Sequence, residues 1–114
     1  MRRKAERKGT LREEIYRVLA EAYEGSRRIR VVLKKDALDS LLTPFYIHSF
    51  HESGVIKMDE PEKIKKYMKL NKQKWENDTD RTIDFTIIKL YPDDVVGLFV
   101  ETMERTIESI QAIN

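Results

Sequence analysis

The chain has 114 residues, of which 22 are Lys or Arg and 20 are Asp or Glu, with two His and no Cys. That length suits a single domain with a modest core, and 37% charged against 40% hydrophobic residues excludes a disordered polyelectrolyte. The lack of Cys excludes disulfides and thiolate metal sites; no apolar run approaches the roughly 20 residues that span a bilayer, and the basic start leads into no signal-peptide core, so a cytoplasmic protein is expected.

Charge is divided unevenly along the chain. Residues 1–35 hold 12 Lys or Arg against 5 Asp or Glu, residues 36–81 hold 8 against 9, and residues 82–114 hold 2 against 6. Such polarity suits either a polyanionic partner for the basic end or docking between the two ends. Residues 1–9 form a basic arm, with Arg2, Arg3, Lys4, Arg7 and Lys8 and no large side chain beyond Met1. The arm is expected to be flexible, and residues 10–114 to form one α+β domain.

Thr10-Leu11-Arg12-Glu13 has the spacing of a capping box and predicts a helix with Ile15, Val18, Leu19 and Ala22 inward, stopped by a left-handed Gly25. Tyr16 and Tyr23 fall on its flank. Arg27 to Lys35 alternates as a strand, with Ile29, Val31 and Leu33 on one side and Arg28, Arg30, Val32 and Lys34 on the other. Asp36 reads as the N-cap of a helix through Leu38, Leu41 and Leu42, broken or restarted at Thr43-Pro44. Ser53-Gly54 marks a turn, and Val55 to Met58 a third, edge strand.

The run Arg28 to Leu42, 15 residues of basic strand followed by a capped helix, resembles the strand and first helix of ribbon-helix-helix DNA-binding proteins. The resemblance implies a basic ribbon that enters a major groove. Those families place the strand near the chain start and a second helix soon after the first. Here Pro44, an aromatic segment and a further strand-helix unit intervene.

Asp59-Glu60-Pro61-Glu62 opens a helix over residues 61–76, with Ile64, Tyr67, Met68 and Trp75 on one face. Lys63, Lys65, Lys66, Lys69, Lys72 and Lys74 cover the rest, and Glu62 and Lys66 are spaced for an i,i+4 pair. Such a helix either follows a phosphate backbone or is a solvated face; Trp75 falls with the core-facing residues. Thr82 onward alternates as a strand through Ile83, Phe85 and Ile87. Pro92, Asp93 and Asp94 then start a last helix with the stripe Val96, Phe99, Val100, Met103, Ile107 and Ile110. Its near-heptad spacing suggests a homodimer through this C-terminal helix.

The expected fold is therefore α+β, with a small two- or three-stranded, antiparallel sheet from residues near 28–34 and 82–90, packed against amphipathic helices in the order α-β-α-(β)-α-β-α. His48 and His51, three apart, are the only metal candidates, and no third ligand is placed beside them. Neither a nucleophile motif nor a phosphate-cradling glycine loop is present, so no catalytic, cofactor-binding or metal-binding residue is assigned. The leading expectation is a small DNA-binding regulator that contacts phosphates through Arg2, Arg3, Lys4, Arg28, Arg30, Lys34, Lys66 and Lys69. The alternative is a protein-interaction module, an adaptor or inhibitor steered to an acidic surface, with Tyr16, Tyr23 or Tyr46 as anchors.

Overall fold

The computed structural model describes residues 9–37, 43–70 and 72–114. Among them the elements run α1 (Leu11–Tyr23), β1 (Arg28–Leu33), α2 (Thr43–Glu52), β2 (Ile56–Met58), α3 (Pro61–Tyr67), α4 (Lys72–Asn77), β3 (Thr82–Ile87), α5 (Asp93–Thr106) and β4 (Ile107–Ile113). The α+β class stands, but the sheet is larger than expected. Four antiparallel strands lie in the order β2-β3-β1-β4.

The sheet has one buried face. Ile29, Val31 and Leu33 of β1 and Ile83, Phe85 and Ile87 of β3 point into it, as their period-two alternation requires. Ile15, Val18, Leu19 and Ala22 of α1 and Phe99, Val100 and Met103 of α5 complete this core. Phe99 is its hub, meeting Phe50 of α2 at 5.2 Å and Phe85 at 6.0 Å, both edge to face. The other face, carrying Arg28, Arg30, Val32, Thr82, Asp84 and Thr86, is only half-buried.

The capping box at α1 forms as its spacing predicts. Thr10 Oγ1 accepts from the Glu13 amide at 3.1 Å, and Glu13 Oε1 accepts from the Thr10 amide at 2.8 Å. The left-handed residue after this helix is Arg27, at φ 65°, and not Gly25. A non-glycine residue there costs about 1–2 kcal/mol. Arg27 offsets that cost with three contacts: its amide donates to Ala22 O at 2.9 Å, its carbonyl accepts from Ile87 N at 2.8 Å, and its guanidinium lies 4.8 Å from the Tyr23 ring.

The expected final helix ends early. α5 stops at Thr106, and Ile107, at φ −111° and ψ 151°, begins β4 with no loop between them. Ile107 and Ile110 are three apart, a helical spacing that in a regular strand puts side chains on opposite faces. A register shift resolves this: Leu33 pairs with Ile107 but Val32 with Ser109, so Glu108 is an extra, bulged residue. Both isoleucines thereby face the core. Lys34 N donates to Thr106 O at 2.9 Å, giving the helix's freed carbonyl a partner on β1. Phe99, Val100 and Met103 are fully buried within the chain, so the heptad stripe is spent on its own core.

The Lys-rich segment is likewise two short helices and not one over residues 61–76. Eight residues of continuous helix would hold Tyr67 and Trp75 about 12 Å apart along the axis. The turn at Met68-Lys69-Leu70 brings their rings to 4.7 Å, edge to face. Tyr67 Oη then donates to Asp80 O at 2.5 Å, and Trp75 Nε1 to Lys34 O at 3.1 Å. Glu62 meets Lys65 at 3.7 Å instead of Lys66. Asp36 sits in a turn before Ala37, α2 begins at Thr43, and the helix expected through Leu38, Leu41 and Leu42 lies outside the described residues. Gly54, at φ 80°, makes the turn into β2, which is an edge strand as expected.

Candidate nucleic-acid interface

β1 is a central strand, flanked by β3 and β4, so it cannot be the free ribbon that the ribbon-helix-helix resemblance implies. Its register with β3 sets Arg30 opposite Asp84. The pair is bidentate: Arg30 Nε donates to Asp84 Oδ1 at 2.8 Å and Nη2 to Oδ2 at 2.9 Å. Hydrogen bonding to Arg30 is the main reason that Asp84 is held below the usual carboxylate range, outweighing the upward pull of its partial burial. The same bond raises the Arg30 guanidinium above its ordinary value.

Arg28 is also compensated within the chain. Its Nη2 is hydrogen-bonded to Asp59 Oδ2, its Nη1 donates to Asn114 O at 2.9 Å, and its amide donates to Ser26 Oγ at 3.1 Å. Two of the three predicted strand cations therefore answer acids within the chain, and Asp59 and Asp84 are the partners that the sequence did not reveal. Asp84 shares the polar side of its strand with Thr82 and Thr86, but only the register shows that it meets Arg30.

Among the other candidate cations, Lys34 stands at the end of β1, and Lys66 and Lys69 stand on α3 and the turn that follows it. Lys34 is half-buried where β1 ends, and its backbone is fixed on both sides, by Thr106 O and by the Trp75 indole. Lys35 follows it, exposed. Tyr67, packed on Trp75, leads into Lys66 and Lys69 of α3 and its turn, both exposed. Among the described residues Lys35, Lys57, Lys66 and Lys69 make no ion pair, whereas Lys63 holds Asp80 at 3.0 Å. That bond is the main cause keeping Asp80 below its ordinary value, with Thr82 N assisting. Burial, reinforced by Asp78 and Asp80, pushes the Tyr67 hydroxyl well above its usual range, so it stays a neutral donor. Arg2, Arg3 and Lys4 lie outside the described residues.

The two histidines differ. His51 Nδ1 accepts from Met58 N at 3.2 Å, tying α2 to β2, and His48 Nδ1 is buried with no hydrogen-bond partner among the described residues. Among the described residues no group of three or more His, Asp or Glu stands close enough to hold a metal ion, and no helix is long and apolar enough to cross a membrane. The expected aromatic anchors are unequal. Tyr16 and Tyr46 are 45% and 43% exposed, beside Phe45 at 51%, whereas the Tyr23 hydroxyl accepts from Leu90 N at 3.0 Å. No protein-family model, no curated protein and no solved structure matches this chain.

Proposed function

We propose that this protein binds nucleic acid through its phosphate backbone, using the lysine-bearing end of the sheet, with Lys34, Lys66 and Lys69, together with the basic arm of Arg2, Arg3 and Lys4. The observation that carries the reading is the contrast among the cations. Arg28 and Arg30 are matched by Asp59 and Asp84, while Lys66 and Lys69 are exposed and without an ion pair among the described residues. Cations without internal partners are the ones that exchange counterions for phosphates, and this gives backbone affinity without base readout. Sequence-specific recognition by the strand face is correspondingly disfavoured.

Fluorescence anisotropy of labelled duplex and single-stranded oligonucleotides at low and moderate salt tests this. Binding should weaken steeply with salt, and Lys66→Glu with Lys69→Glu should weaken it about tenfold or more, whereas Arg30→Gln should leave it nearly unchanged. No binding at low salt, or affinity indifferent to the lysine variant, overturns the proposal. A second reading, a protein-interaction module, is favoured by Phe45 and Tyr46, adjacent and about half exposed at the start of α2. Large aromatics of this kind anchor interfaces.

A further inference from the structure

The two edges of the sheet are unlike. β2, at one edge, has three residues with Lys57 at its centre, and Pro61 follows soon after. Short length, an outward lysine and a nearby proline are the usual means of keeping an edge from pairing. β4, at the other edge, has seven residues and neither Lys nor Pro.

The backbone of β4 is half used. Leu33 N donates to Arg81 O and Ile87 N to Arg27 O, so the odd-numbered residues of β1 bond to the β3 side. The even-numbered ones, Arg28, Arg30 and Val32, therefore bond to Ile113, Gln111 and Ser109 of β4. Ile110 and Ala112 accordingly aim their N–H and C=O groups outward. Among the described residues no backbone bond outside the sheet takes them up.

We infer that this edge pairs with the same edge of a second copy, β4 antiparallel to β4, to give a continuous eight-stranded sheet about a two-fold axis at Gln111. The bulge at Glu108 confines regular pairing to Ser109–Ile113, and Gln111 is the centre of that stretch. About this axis Ile110 of each copy exchanges two hydrogen bonds with Ala112 of the other, and both residues lie on the core side. On the outer face Ser109 meets Ile113, and Gln111 meets its own copy. An amide is both donor and acceptor, so this self-pairing is satisfied. No like charges are brought opposite each other, and Ala112 and Ile113, half-buried in the single chain, gain cover. The stretch is thus complementary to itself, as an isologous interface requires.

Sedimentation velocity and light scattering of the full chain across micromolar concentrations test the inference, with a reversible dimer expected. Gln111→Lys and Gln111→Glu each place like charges at the axis and should each weaken dimerisation several-fold; an equimolar mixture of the two should restore it. Ala112→Pro removes an outward N–H that no bond within the chain uses, so it should weaken dimerisation about tenfold or more while leaving the chain folded, checked by its urea midpoint. A wild type that stays monomeric overturns the inference. So does a dimer that survives all three variants, or a Lys and Glu mixture that remains as monomeric as its parents.

Discussion

Replacing Trp75 with Phe isolates what holds the lysine-bearing end to the sheet. The indole is 1% exposed, donates to Lys34 O at 3.1 Å and meets the Tyr67 ring edge to face at 4.7 Å. Phe keeps most of the packing but loses the donor. Lys34 O retains Ala37 N at 3.2 Å, so the lost hydrogen bond costs at the lower end of the range, about 1 kcal/mol. The missing volume, on the order of 40 Å³, adds about 1 kcal/mol if the site does not collapse. A total of about 2 kcal/mol lowers the urea midpoint by roughly 1 M for a domain of this size. Circular dichroism is the assay, because the variant has no tryptophan. Tyr67→Phe, which removes the bond to Asp80 O but keeps the ring, completes a double-mutant cycle, and because both variants keep an aromatic ring at the contact the coupling should stay below about 0.5 kcal/mol. A midpoint that moves by less than about 0.3 M would refute the view that this indole fastens α4 and the end of β1 together.

Asp84 has a depressed folded-state value, so the stability it contributes is present above the unfolded carboxylate range, near pH 4, and is lost as pH falls through the folded value. The stability gap between wild type and Asp84→Asn should therefore close on acidification below about pH 4, as measured by denaturant unfolding at stepped pH. Thr10→Ala removes one half of the capping box and should cost about 1 kcal/mol in the same assay, with a small loss of helical signal. Because Trp75 is the single tryptophan and is buried, native fluorescence should be blue-shifted and resist a soluble quencher until α4 detaches. Arg30→Gln should weaken the protein's acid response without weakening its binding of oligonucleotides, which separates the sheet-face pair from the lysine end.

Local patterns were legible from the sequence where one period dominated. The capping box of α1, the alternation of β1 and β3, and the inward place of Trp75 all follow from residues close in the chain. The misread segments are those in which a long-range partner decides. Ile107, Ile110 and Ile113 fit a helical spacing, and it is β1, supplying an unpaired edge and taking up Thr106 O, that makes them a bulged strand. The Lys-rich segment carries Ile64, Tyr67, Met68 and Trp75 at positions that share one helix face, yet the contact of Tyr67 with Trp75 requires the turn between them. For the candidate site, residue type marked the cations, but not which of them answer an acid within the chain. Arg30 and Asp84 are 54 residues apart, and nothing short of the strand register brings them together.

The position of β1 also bears on how the chain finds its fold. It is the strand on which the sheet is assembled, yet its two neighbours, β3 and β4, come from far along the sequence. Both ladders must close long loops before their hydrogen bonds and side-chain contacts return anything. α1 and α5 can form early from local interactions, but β1 has no local partner, since the nearest strand, β2, pairs with β3 instead. Folding is therefore expected to be slow for a domain of this length, with a transition state in which β1 and β3 are already aligned. β4 would then be delivered by its direct continuation from α5, the docking of a helix setting the register of a strand.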